Sequence, residues 1–256
     1  MNTQNESKLK KMLELHKPGT VVLAKWLENV GISRELQKNY KKSGWLEKLR
    51  PGAYKRPTDQ VTWQGGLYAI QQQTKLQIHA GALTALSLQG QSHYFRISGE
   101  KIFLFSAHKT ILPQWFKAHE WGQKVQHIKT SLLPDGLGLT QHEEKNFSIT
   151  ISAPERAILE CLYLAPDKLD LMECYHLVEG LSNLRPKLLQ DLLEKCSSVK
   201  VKRLFLLMAS KAQHQWLAFL DLKKIDLGKG DRSIIKGGVY NAQFHVSVPK
   251  ELVNNP

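Results

Sequence analysis

Within its first sixty residues the chain alternates short helical periods with sharp breaks, a rhythm that few small folds accommodate. Leu9, Met12, Leu13 and His16 recur at helical spacing, with Lys8, Lys10, Lys11 and Glu14 on the other side, so a helix is expected over 7–16. Pro18-Gly19 ends it, because proline cannot continue a helix and glycine relaxes the turn. Thr20 stands where it would cap a second helix carrying Leu23, Trp26, Leu27 and Val30. Gly31 breaks that helix, and Ser33 is placed as the N-cap of a third over 34–43. In this third helix Leu36 and Tyr40 point inward, while Arg34, Gln37, Lys38 and Lys41 fall at i, i+3, i+4, i+7 on the opposite side, beside Lys42. Pro51-Gly52 between the short runs 45–49 and 53–57 then predicts a tight hairpin.

Three helices followed by a hairpin are the parts of a winged helix-turn-helix, in which the second helix braces the third and the wing reaches backbone phosphate or the minor groove. The polar side of the third helix suits the major groove: arginine grips guanine, glutamine grips adenine, and lysines mostly meet phosphate. The expected DNA contacts are Ser33, Arg34, Gln37, Lys38, Lys41 and Lys42, with Arg50, Lys55 and Arg56 on the wing. Charge points the same way. Of a formal net charge of +13, residues 1–60 supply +7, from thirteen Lys/Arg against six Asp/Glu. A basic module of this kind implies a polyanionic partner, most often nucleic acid.

Residues 61–256 read as a second, mixed α+β domain, with a sub-boundary near 150, so the chain as a whole is expected to be α+β. Trp63, Leu67 and Ile70 suggest a connecting helix ending near Gln71-Gln72-Gln73, and 78–88 reads as a small-residue helix. Strands are expected at 93–97, 101–105, 125–130 and 147–151, with a loop or short helix at 113–121. After Pro154, suited to a first helical turn, the period becomes helical over 155–164, 169–180, 186–196 and 200–210. Late strands are expected at 216–221 and 240–248. Lys200, Lys202, Arg203 and Arg232 make this part locally basic and suggest a secondary nucleic-acid surface, or else a solvated rim with snorkelling stems.

No catalytic constellation emerges. Gly228-Lys229-Gly230 lacks the spacing of a phosphate-cradling loop, and the ten histidines show no metal-binding spacing. Glu155, Arg156 and Glu160 share a helix but lack the strand-borne acidic partners of a metal nuclease. The reading is therefore no enzyme, no cofactor and no metal. Cys161, Cys174 and Cys196 form no CxxC pair and imply reduced thiols in a cytoplasmic protein. No apolar run approaches the roughly 18–20 residues of a membrane span, and no signal-type stretch follows the N-terminus.

Several strings, in order along the chain, resemble the AbiEi antitoxin family of type IV toxin–antitoxin systems. They are Trp45-Leu46 with Gly52-Ala53-Tyr54, the run His79 to Leu86, Gly90-Gln91-Ser92-His93-Tyr94 and Ser152-Ala153-Pro154-Glu155-Arg156-Ala157. Val199 to Phe205, Leu227 to Arg232 and Val246-Ser247-Val248-Pro249 complete the series. The resemblance implies an N-terminal winged helix-turn-helix, a C-terminal antitoxin domain, and autorepression through inverted repeats in the operon's own promoter. It further implies a nucleotidyltransferase-like toxin opposed without a stable complex, in a phage abortive-infection setting. By position, the DNA-reading helix of such proteins falls on 34–42. Two readings from other classes remain at this stage: an interaction adapter that binds the toxin directly, and an enzyme working on nucleic acid or nucleotides through the second domain.

Overall fold

The computed structural model describes residues 3–91 and 101–253. In chain order it runs α1 (Thr3–Leu15), β1 (Val22–Leu23), α2 (Ala24–Asn29), α3 (Arg34–Lys42), β2 (Glu47–Arg50), β3 (Ala53–Lys55) and α4 (Trp63–Ala69). There follow β4 (His79–Ala80), α5 (Ala82–Leu88), β5 (Lys101–Ser106), α6 (Gln114–Ala118), β6 (Lys124–Lys129), β7 (Leu139–Glu143) and β8 (Ser148–Ser152). The helices α7 (Pro154–Leu164), α8 (Leu171–Gly180), α9 (Pro186–Lys195) and α10 (Val199–Lys211) come next. Three short strands, β9 (Arg232–Ser233), β10 (Val239–Asn241) and β11 (Val246–Val248), precede α11 (Lys250–Val253). The mixed α+β class and the N-terminal winged helix-turn-helix agree with expectation. The strand expected over 93–97 lies outside the described residues.

The described chain divides into two compact units, the first holding 3–79, 101–129 and 141–150, the second 80–91, 130–140 and 151–253. In the first, Met12, Val22, Leu27, Ile32, Leu36, Tyr40 and Leu46 form one buried cluster that joins α1, β1, α2, α3 and the wing. The wing is the antiparallel pair β2–β3, whose two-residue turn is Pro51-Gly52. Gly52 has φ +77, the sign that glycine tolerates and that a type II turn with proline before it demands. On its other side β3 pairs with β1, Val22 facing Tyr54 and Leu23 facing Ala53. Thr20 does not cap α2, contrary to expectation. Its hydroxyl donates to the Lys17 carbonyl at 2.6 Å, two short strand residues intervene, and α2 begins after Leu23 without a side-chain cap. Further along, β5 and β6 run parallel with Leu104 facing His127.

In the second unit α7 is central, and Pro154 occupies its first turn as the sequence suggested. It carries a buried polar network. Glu160 accepts from Arg156 Nε at 2.8 Å, from the Ala82 amide at 2.9 Å and from the Ser152 hydroxyl at 2.7 Å. Arg156 also donates to the carbonyls of Pro134 and Leu137. The helix expected over 78–88 starts only at Ala82: Ala80 is extended and pairs with Ile151, and the Ala82 amide goes to Glu160. The segment 216–221 is not a strand but lies mostly in a 3₁₀ helix, Gln215–Phe219, with the Trp216 indole donating to the Leu181 carbonyl. The segment 240–248 is a hairpin of β10 and β11 rather than one strand.

Two stability measurements follow. Glu160→Ala leaves the Arg156 guanidinium buried without its carboxylate and should lower unfolding stability by about 3–5 kcal/mol, read by chemical denaturation. Burial alone would push the Glu155 carboxyl up, but hydrogen bonds from Arg185 outweigh it and hold it below the ordinary carboxylate value. The ionised form is thus the one that the fold favours, so this contribution is present at neutral pH and fades as the pH falls through the lowered value. In Arg185→Ala that acid-limb loss should shrink when stability is measured against pH.

Candidate nucleic-acid interface

The third helix is fixed at its start by Ser33, whose hydroxyl accepts from the Leu36 amide at 3.3 Å. Leu36 and Tyr40 enter the core, and so does Gln37, which is 0% exposed. Its amide donates to the carbonyl of Ala24 at 3.0 Å and to that of Ile32 at 2.9 Å. The expectation that Gln37 reads bases is therefore corrected: it lies about 100° round the helix from Leu36, at the margin of the apolar arc. There the carbonyls of Ala24 and Ile32 give its amide two acceptors inside the core. It locks α3 against the start of α2 and the turn before itself.

What α3 presents outward is Arg34, Glu35, Lys38, Asn39, Lys41 and Lys42, all exposed. Arg34 pairs with Glu28 of α2, both well exposed, an attachment weak enough to be exchanged for a stronger partner. Lys41 lies 6.0 Å from the centre of the Tyr54 ring of β3, which draws its stem toward the wing. Asn39 is the amide that outward-facing chemistry has in place of Gln37. On a helical wheel centred between Leu36 and Tyr40, Gln37 and Asn39 flank the apolar arc at equal angles, so the sequence pattern does not tell which of the two amides turns inward.

The wing departs from expectation more strongly. Lys55 faces Glu47 across the hairpin at 3.3 Å and donates to the Asp59 carbonyl at 3.1 Å. Arg56 donates to the carbonyl of Leu13 in the last turn of α1 and to that of His16 just beyond its end. These two cations are internal fastenings, not an exposed rim. Arg50 beside the turn is half-buried, and its Nε is buried without a hydrogen-bond partner. Lys48, which the sequence reading passed over, is the exposed cation of β2. A two-residue period alone would put Lys48 and Arg50 on one side of β2, but the register shifts between them and their exposure differs.

The secondary basic surface is also corrected. Lys200 donates to the carbonyls of Tyr163 and Ala165, and burial lowers its ammonium from the usual lysine value. Lys202 is 4% exposed. Arg203, 2% exposed, donates to the carbonyls of Leu227, Gly228, Gly230 and His245. Of that set only Arg232 stands in solvent. The carboxylates of Glu155 and Glu160 are likewise taken up by Arg185, Arg156, Ser152 and Ala82. Among the described residues no group of His, Cys, Asp or Glu is spaced to hold a metal ion, and no helix is long and apolar enough to cross a membrane.

Comparison with known proteins gives three results. A solved structure described as the RV2827C protein from Mycobacterium tuberculosis superposes with a TM-score of 0.57 over 89% of this chain and 85% of that one, at 11% identity, a likeness of fold. No curated protein matches the chain. Two family models do match: the AbiEi antitoxin N-terminal domain of a transcriptional regulator over residues 5–97, and the AbiEi antitoxin transcriptional regulator of type IV toxin–antitoxin systems over 99–249. With nearly its whole length matched, the chain belongs to the AbiEi family of transcriptional regulators and antitoxins of type IV toxin–antitoxin systems.

Proposed function

We propose that this chain is a DNA-binding autorepressor that reads inverted repeats in its own promoter, with α3 in the major groove and the wing on the backbone. The observation that carries this reading is the exposed face of α3. Arg34, Lys38, Lys41 and Lys42 stand there with Asn39, on a helix whose opposite side is pinned by Leu36, Gln37 and Tyr40. Arg34 and Asn39 have the donors for base edges; Lys38, Lys41, Lys42 and Lys48 are suited to phosphate. Ser33 and Arg50 sit at the margins of the same face and wing, where backbone contact is the natural role. As an antitoxin it would act in the cytoplasm and without catalysis. It would oppose a nucleotidyltransferase-like toxin without forming a stable complex. The boundary of the DNA-reading module is proposed at about residue 60, after the wing.

Anisotropy titrations on promoter and random duplexes test the assignment. Arg34→Ala and Asn39→Ala should each cost about 1–3 kcal/mol on the promoter and relax sequence preference. Lys38→Ala or Lys42→Ala should weaken both duplexes alike and flatten the salt slope by about one. Equal losses on both duplexes for Arg34 and Asn39 would remove the base-reading role. Salt-insensitive binding together with co-purification of the toxin would favour an adapter instead. Gln37→Ala serves as the contrast: it should lower unfolding stability by about 1–3 kcal/mol, since two buried carbonyls lose their donor, while promoter-over-random preference is kept.

A further inference from the structure

The first unit also contains a concave pocket of about 630 Å³, within the range of small-ligand sites. Its lining includes Lys117, His119, Trp121, Lys124, Val125 and His127, from α6, β6 and the segment joining them. The Trp121 wall is firmly seated. Its indole N–H donates to the Phe116 carbonyl at 2.9 Å, and the ring lies 4.8 Å from that of Phe116. Glycine at 66 in α4 makes the seat possible, because a Cβ there would come within 2.6 Å of the indole. His119 meets the indole edge-on at 4.4 Å. His127 is anchored from β5, its Nε2 lying 2.8 Å from the Ser106 hydroxyl.

Cations outnumber carboxylates around the pocket. Burial, then Lys129 and Lys117, push the His127 imidazole down to about 4. Burial and Arg50 push the His119 imidazole down as well, with Glu120 pulling the other way and Lys55 adding to the depression. Glu120 is the carboxylate among the lining residues, against Lys117 and Lys124, both exposed at their ends. A concave site with an excess of positive charge, an aromatic wall and the apolar side chains of Leu112 and Val125 in its lining suits an anion attached to a flat, partly apolar body.

We propose that this pocket binds a small phosphorylated ligand of nucleoside-monophosphate size, with Lys117 and Lys124 meeting the phosphate and the Trp121 wall meeting the ring. Its lining residues come from 112–127 and include none of α3, so the proposal does not depend on how α3 engages DNA. Calorimetric titration of the full chain with orthophosphate, AMP and GMP tests it, alongside the imidazole NMR signals of His119 and His127. A nucleotide should bind more tightly than orthophosphate and move both imidazole signals. Lys117→Ala/Lys124→Ala should weaken that binding by roughly tenfold or more, the size expected for losing a charge-assisted contact. Trp121→Ala should weaken the nucleotide more than orthophosphate. Because both lysines are exposed, the double variant keeps the fold, which circular dichroism verifies. The proposal fails if millimolar nucleotide gives neither heat nor a shift, or if the double variant binds it undiminished. It fails equally if orthophosphate binds as well as the nucleotides, or if the lysine changes weaken only duplex DNA.

Discussion

A buried cation must find acceptors, and in this protein most of them are main-chain carbonyls. Arg56 takes the carbonyls that α1 leaves open at its end, Lys200 takes those of Tyr163 and Ala165, and Arg203 takes four from the loops around 227–230 and 245. Arg156 adds a carboxylate to two carbonyls. Each guanidinium presents several donors in a rigid plane, so it can gather segments that share few apolar contacts. The irregular stretches of this chain are positioned by such gatherings more than by strand pairing, since β9, β10 and β11 are each only two or three residues long.

This changes what the basic composition means. A net charge of +13 suggests a strongly positive surface, yet several of the cations are directed inward. Lys55 and Arg56 on the wing, and Lys200, Lys202 and Arg203 in the second unit, contribute little to the field that a polyanion meets. Most of the remaining cations are exposed and spread over many elements, from Lys8, Lys10 and Lys11 on α1 to Lys223, Lys224, Lys229 and Lys236 in the second unit, and α3 with its four is one dense stretch among them. It is this local density on α3, not the net charge, that would bias the orientation in which a charged partner is captured.

Features written into neighbouring residues were legible in the sequence. The Ser33 cap, the Pro51-Gly52 turn, Pro154 at a helix start and the helical periods of α7 to α10 all depend on contacts within a few positions, and the structure has them where the pattern put them. The failures share a different cause. Thr20 forms its own turn, Ala80 is drawn into a parallel pairing with Ile151, and 216–221 coils because Trp216 must reach Leu181 and lie 5.7 Å from the Phe205 ring. In the sequence Gln37, Lys55, Arg56 and Arg203 have the look of surface donors, because a polar residue type does not reveal an acceptor many residues away. Even the Gln71-Gln72-Gln73 run, legible only as the end of a helix, places two of its amides on backbone groups of Val21, Leu23, Ile78 and Thr150.

The fastening of Arg56 has a consequence for the module as a unit. Because the guanidinium that follows the wing is satisfied at the end of the first helix, hairpin and helix form one mechanical piece. A chimera that carried 20–57 onto another scaffold would import a cation stripped of its acceptors, and its hairpin would have lost the strut that sets its tilt. Portability in this fold therefore begins at the first helix, well ahead of the groove-facing segment that such grafts aim to transfer.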